Sequence, residues 1–261
     1  LVAERIASAA PQVVVETVQQ TGSTNADLLL RARQAQPPRP VLRAALHQTA
    51  GRGRHGRRWF ASAGNALLFS LAIPVSTADA RIAAATLACG IGAAEALRAV
   101  GVPVQLKWPN DLFLDERKLG GVLCELAVDG EGRRTVVAGV GVNLHLDAAM
   151  RDSIGQPAAA LDEVTVAAGL ARETLIGCMA SSIVEALHVF ETQGFVPLQA
   201  RFMALFAQRD SVVDLLELGV RVASGRALGV DGQGRLLLET EQGTRACSSG
   251  EISLRSRGAP K

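Results

Sequence analysis

Between residues 104 and 143 the chain alternates short β-prone runs with tight polar turns. Residues 104–107 start a strand and Leu112-Phe113-Leu114 another, which turns at Asp115-Glu116-Arg117. A third strand, Lys118-Leu119-Gly120-Gly121-Val122-Leu123-Cys124-Glu125-Leu126, turns at Asp129-Gly130-Glu131-Gly132 into a fourth over residues 134–143. Such short turns return the chain alongside itself, so these strands pair antiparallel, whereas parallel neighbours need crossovers of about a dozen residues or more. The pattern excludes an all-parallel doubly wound sheet and predicts an α+β chain with an antiparallel or mixed sheet. Within the fourth strand Gly139-Val140-Gly141-Val142-Asn143 puts glycines on one face, which leaves room for a flat ligand or another backbone.

Elsewhere, β-branched and apolar runs predict strands over residues 13–18, 41–48 and 66–73. Helices are expected over residues 78–100 and 165–193, with a shorter one from Pro197 to about Gln208. Residues 146–162 read as a polar, alanine-rich loop long enough to serve as a lid. Beyond Arg209, strands at 212–216, 220–230, 235–239 and 252–254 are split by glycine-rich turns, the texture of a small β-barrel. The expected division is therefore residues 1–208 and 209–261.

Composition removes several function classes. The 261 residues carry a net charge of only +2, far from a nucleic-acid binder. No apolar run approaches the ~18 residues of a spanning helix, the longest, residues 82–94, stopping at Glu95. Glu4 and Arg5 do not fit a signal peptide. Cys89, Cys124, Cys178 and Cys247 form no C-x-x-C pair, so neither a metal site nor a disulfide framework is expected. The reading is a cytoplasmic protein with no membrane and no nucleic-acid partner. Basic residues are heavily skewed: 24 arginines against Lys107, Lys118 and Lys261. A lysine kept in such a background points to a need for a compact ammonium.

The basicity is local. Gly51-Arg52-Gly53-Arg54-His55-Gly56-Arg57-Arg58-Trp59 interleaves arginines with glycines and ends on one of two tryptophans. Guanidinium forks suit carboxylate and phosphate oxygens, and glycine lets an anion approach closely. The run has little apolar surface to bury, so it reads as a loop that orders around an anionic ligand. It satisfies G-x-G-x-x-G, but no helix follows, so a dinucleotide fingerprint lacks its context. A DNA-contacting arm lacks an accompanying nucleic-acid module. Ser23-Thr24-Asn25 opens a helix and reads as a plain N-cap or as a polar ligand site on the exposed N–H groups. No Ser-His-Asp set emerges from His47, His55, His145 and His188.

Taken in order, five stretches resemble bacterial biotin–protein ligases. They are Ser23-Thr24-Asn25; the Gly51–Trp59 run; Lys107-Trp108-Pro109-Asn110-Asp111-Leu112; Lys118-Leu119-x-Gly121; and Gly250-Glu251-Ile252-Ser253-Leu254-Arg255-Ser256. The resemblance implies a catalytic domain related to class II aminoacyl-tRNA synthetases followed by an SH3-like barrel. It implies ATP with Mg²⁺, biotin, and a biotin carboxyl carrier protein of acetyl-CoA carboxylase, and it allows a homodimer. Lys118, Arg52 and Arg54 would face the biotin carboxyl and the phosphates, Arg54 retaining the adenylate, while Asp111 would orient the acceptor lysine. Ser23, Thr24, Asn25 and Gln48 would hold biotin, with Gly51, Gly53, Arg57 and Trp59 completing the loop. Gly121 and Gly141 would keep the walls low, Asn143 would read the adenine edge, and Lys107, Asn110 and Arg255 would sit near phosphate or metal. His55 stands where many relatives have another arginine, residues 146–162 lack an aromatic cover for adenine, and no DNA-binding domain is present in these residues. A lipoate–protein ligase and a biotin-sensing regulator are the competing readings.

Overall fold

The computed structural model describes residues 1–76, 82–154, 156–217, 220–248 and 252–256. In chain order the first part holds α1 (Ala3–Ala9), β1 (Val14–Thr21), α2 (Thr24–Gln34), β2 (Val41–Gln48), β3 (Ala66–Val75) and α3 (Ile82–Ala99). Then come β4 (Gln105–Lys107), β5 (Asp111–Leu114), β6 (Arg117–Val128) and β7 (Arg134–Asn143). The helices α4 (Ala148–Ile154), α5 (Thr165–Ala168), α6 (Arg172–Gln193) and α7 (Val196–Leu205) follow. The chain finishes with β8 (Val212–Glu217), β9 (Val220–Val230), β10 (Leu236–Thr240), β11 (Gly243–Cys247) and β12 (Ile252–Ser256).

The first seven strands form one mixed sheet in the order β1-β2-β3-β7-β6-β5-β4. Only β1 and β2 run parallel; the other neighbours are antiparallel, as the short turns require. At the β5–β6 turn Asp115 and Glu116 take φ of 47° and 60°, the left-handed pair that a two-residue hairpin needs. Alternation along β3 then sorts the faces. Leu67, Phe69 and Leu71 join the main core, together with Ala138, Val140 and Val122 of the neighbouring strands and with residues of α3 and α6. On the other face Ala72, Val137 and Ala127 pack under Leu28, Leu29 and Ala32 of α2. Because α2 covers only one end of that face, its N-terminus overlooks open sheet.

The last five strands make an antiparallel sheet in the order β11-β10-β9-β8-β12. Val213, Leu215, Leu236 and Leu238 belong to the same buried cluster as Trp108, Phe202 and Leu205, so the two sheets share one core. Trp108 is 1% exposed, and its indole donates to the Gly234 carbonyl at 3.2 Å. The tryptophan of the Lys107–Leu112 stretch is therefore a structural tie between the sheets.

Several expectations change. Residues 148–154 of the supposed loop are helical, and the long helix from Thr165 is broken between Ala168 and Arg172. Helix α1 and strand β11 had no reading. Helices α3 and α6 are long and apolar enough to cross a membrane, contrary to the count of apolar residues in a row. In this fold they pack on the sheet and on each other, which accounts for their composition. Arg255 pairs through its backbone with Asp214 on β8, but its side chain lies outside the described residues, as do Gly250 and Glu251.

Trp108→Phe removes the indole donor and leaves the Gly234 carbonyl without its partner in the core. A loss of about 1–3 kcal/mol is expected, read as a lower urea midpoint at unchanged m-value.

Candidate active site

The open part of the sheet face forms a cavity of about 620 Å³. Its floor comes from Leu68 and Ser70 of β3, Gly139 and Gly141 of β7, and Gly121 and Leu123 of β6. These sit opposite one another in register, Leu68 with Gly141 and Gly121, Ser70 with Gly139 and Leu123. The cavity thus lies where three central strands set three glycines and a serine among two leucines beneath the N-terminus of α2.

One end is a network of neutral polar groups. Ser23 caps α2, its hydroxyl accepting weakly from the Ala26 amide at 3.4 Å. The Gln48 side-chain oxygen accepts from the Thr24 amide at 2.7 Å and the Thr24 hydroxyl at 3.1 Å. The same hydroxyl meets that of Ser70 at 2.8 Å. Ser23, Thr24 and Asn25 are buried although polar, and all three line the cavity. The cap reading and the ligand reading of this stretch are compatible, since a capped helix still offers side chains and dipole to the cavity.

The other end gathers cations. Lys118 Nζ lies 2.7 Å from Asp111 Oδ1, both side chains about four-fifths buried. Arg54 reaches the Asn110 side-chain oxygen at 3.4 Å, and Asn110 is itself fixed by donating to the Val122 carbonyl at 3.1 Å. Burial pushes the Arg54 guanidinium below its ordinary pKa; Asp111 pulls it back up and Arg57 adds to the fall. A guanidinium stays charged under such pressure, so an anion in this cavity meets a poorly hydrated cation. Arg52 is paired with Glu125 at 2.9 Å. Lys107 also lines the cavity, its ammonium 5.0 Å from the centre of the Phe113 ring. Arg57 lines the mouth and is exposed.

The arginine run, read as a loop that orders around an anion, also packs on itself through its backbone. Arg52 and Arg58 form an antiparallel bridge, Gly53 N–H donates to Arg57 O at 2.7 Å, and Trp59 N–H to Gly51 O at 3.0 Å. His55 and Gly56 make the tip with φ of 56° and 72°. Gly51 does not line the cavity; a Cβ there would stand 2.7 Å from the Trp59 carbonyl, so its smallness serves loop closure.

Glycine roles divide similarly. A Cβ on Gly121 would come within 3.3 Å of Asp111 Oδ1, so this glycine clears space for the ion pair. At Gly141 a Cβ would fall 2.7 Å from the Trp59 indole. That space was expected for ligand, and Trp59 fills it. Asn143 is likewise committed, donating to the Ala159 carbonyl at 3.0 Å, and its amide ties down the segment that pairs with Lys118. Sequence reasoning missed Ser70 and Glu125; both sit in strands where alternation alone reads them as face residues. Among the described residues no three His, Cys, Asp or Glu side chains gather as a metal site.

Two family models match the chain: the biotin/lipoate A/B protein ligase family over residues 17–143, and the biotin protein ligase C-terminal domain over residues 215–255. A biotin–[acetyl-CoA-carboxylase] ligase of Mycobacterium tuberculosis is 33% identical over 250 residues, 91% of this chain and 88% of the relative. The chain belongs to the biotin/lipoate A/B protein ligase family. Within it, the bifunctional ligase/repressor BirA of Escherichia coli is 36% identical over 213 residues, covering 81% of this chain and 65% of its own length. The chain thus spans slightly under two thirds of that relative. The biotin protein ligase of Aquifex aeolicus, solved in complex with biotin and ATP, superposes with a TM-score of 0.77 at 26% identity, covering 93% and 99% of the two chains. The family match encloses the cavity floor and both its polar ends; of the lining residues only Ile154, Gln156 and Ala158 fall beyond it.

Gly141→Ala must displace the Trp59 indole. The expected result is a red-shifted tryptophan emission with the far-ultraviolet circular dichroism unchanged, since Trp108 stays buried between the sheets.

Proposed function

We propose that the protein is an ATP-dependent biotin–protein ligase that makes biotinyl-5′-AMP and pyrophosphate, then transfers biotin to a lysine of a biotin carboxyl carrier protein. The observation that carries this reading is the meeting of Lys118, Arg52 and Arg54 in one cavity whose opposite end is lined by hydroxyl and amide groups. A ureido ring matches the neutral polar end and a carboxylate the cationic end. The similarity to the Mycobacterium biotin–[acetyl-CoA-carboxylase] ligase and to the Aquifex ligase solved with biotin and ATP points the same way.

In the first step a biotin carboxylate oxygen attacks the α-phosphorus, the new O–P bond forms, and pyrophosphate leaves. Both reactants are anions, so their encounter is limited by repulsion. Lys118, Arg52 and Arg54 offset that repulsion and stabilise charge on the phosphoryl oxygens in the transition state. The Arg54 guanidinium, already desolvated, needs little reorganisation to receive phosphate. A Mg²⁺ ion would arrive on the ATP phosphates and neutralise part of their charge, since the described residues gather no ligand set of their own.

In the second step the acceptor amine attacks the acyl carbon and AMP departs. Asp111 suits the role of receiving that amine, because it already holds one ammonium, Lys118, at 2.7 Å. Once Lys118 turns to the adenylate, the carboxylate is released for the incoming lysine. The Gly51–Trp59 loop would limit hydrolysis by covering the mixed anhydride. The carrier of acetyl-CoA carboxylase is the proposed partner, and the reading allows a homodimer in the cytoplasm. Residues 1–208 would form the catalytic domain and 209–261 the appended one.

Pyrophosphate exchange into ATP tests the reading. It should depend on biotin and be at least about a hundredfold slower with lipoate, a discrimination within reach of sites that pair with polar substrate groups; lipoate-dependent exchange would select the lipoate ligase instead. A biotin-sensing regulator would exchange but not transfer. Asp111→Asn should slow single-turnover transfer about tenfold or more beyond its effect on exchange; equal losses in both steps would remove Asp111 from the second step.

A further inference from the structure

We infer that Glu125 is a positioning residue that couples the helix end of the cavity to the arginine loop and thereby sets biotin binding. This rests on the ligase reading above. Glu125 shares a face of β6 with Gly121 and Leu123, two floor residues, through the two-residue period of the strand. One of its oxygens, Oε2, accepts from Asn25 Nδ2 at 2.5 Å and from Arg52 Nη2 at 2.9 Å. Asn25 is the second residue of α2, and Arg52 opens the loop. A single carboxylate oxygen therefore joins two segments that approach the cavity from different parts of the fold.

The arrangement fixes the orientation of both donors. Asn25 Oδ1 is buried with no hydrogen-bond partner among the described residues, resting against β7 where a Cβ on Gly139 would stand 2.8 Å away. Flipping the Asn25 amide would set its oxygen against the Glu125 carboxylate, acceptor on acceptor, so the charge of Glu125 selects one amide orientation. Beside Asn25, Thr24 anchors the Gln48 network. Arg52 is held on the sheet side of the loop by the same oxygen, in a pair with each side chain more than a quarter exposed. Such a pair is worth little as a fold-stabilising contact; its consequence is where Arg52 stands. The second cation of the site, Lys118, has a carboxylate of its own in Asp111, so each of these two acids holds one cation.

The test is Glu125→Gln, which keeps the shape and one acceptor but loses the charge. In biotin-dependent ATP–pyrophosphate exchange, KM for biotin is expected to rise about tenfold, as for loss of a charge-assisted hydrogen bond, and kcat to fall because a displaced Arg52 meets the transition-state phosphate less well, with KM for ATP within about twofold. Made in an Arg52→Ala background, the same substitution should raise KM for biotin by only about threefold or less, because only the Asn25 contact is left to lose and coupled positions are non-additive. Equal rises in both KM values together with a lowered melting temperature would reduce Glu125 to a structural role and overturn the inference. So would a full, additive effect in the Arg52→Ala background. Failure of the wild-type protein to exchange with biotin at all would instead overturn the ligase reading, and the two failures are therefore distinct.

Discussion

Crowding of like charges is the constraint around which this molecule is built. Lys118, Arg52 and Arg54 share one cavity, and without counter-charges their repulsion would oppose the folded state. The fold supplies those charges from the strands themselves: Asp111 on β5 holds Lys118, and Glu125 on β6 holds Arg52. Arg54 is the more deeply desolvated of the arginines and reaches toward Asn110. Anionic groups are the electrostatic complement of such an arrangement.

Close approach is the second requirement, and the central strands meet it by omission of side chains. Gly121 makes room for the Lys118–Asp111 pair, Gly139 for the Asn25 amide, and Gly141 for the Trp59 ring. All three lie in the antiparallel run β6–β7, so a single hairpin carries Lys118, the Glu125 partner of Arg52 and the clearance around them. The appended sheet supports this from below: Trp108, next in sequence to Lys107, is buried between the sheets and bonded to Gly234. The buried tie at Trp108 and the cavity residues Asn110 and Asp111 are neighbours along the chain.

Much of the fold was legible. The limits of β2 could be read directly, because an apolar, β-prone run is bounded by Pro40 and by the turn before Gly51. The hairpin strands were legible from their turns. Helix α1 was not, being seven residues long with no side-chain cap. Neither was α4, hidden in a stretch whose alanines and polar residues carry no clear period. The site was legible as a list of residue types, since lysines and asparagines are rare here and cluster in short stretches. Its internal pairings were not. Glu125 looked like a charge on an alternating strand, and Gly141 like room for ligand, until the fold brought Asn25, Arg52 and Trp59 to them.

By itself the sequence determined the antiparallel core of the sheet, the helix-capping stretch at Ser23 and the concentration of cations between Gly51 and Trp59, because turns, caps and charge are local properties. Tertiary structure alone decided which acid holds which cation, which side chain each glycine makes room for, and that two sheets share one core. Those outcomes depend on atoms meeting across strands distant in the chain, and no local propensity specifies the partner of a charge or the occupant of a gap.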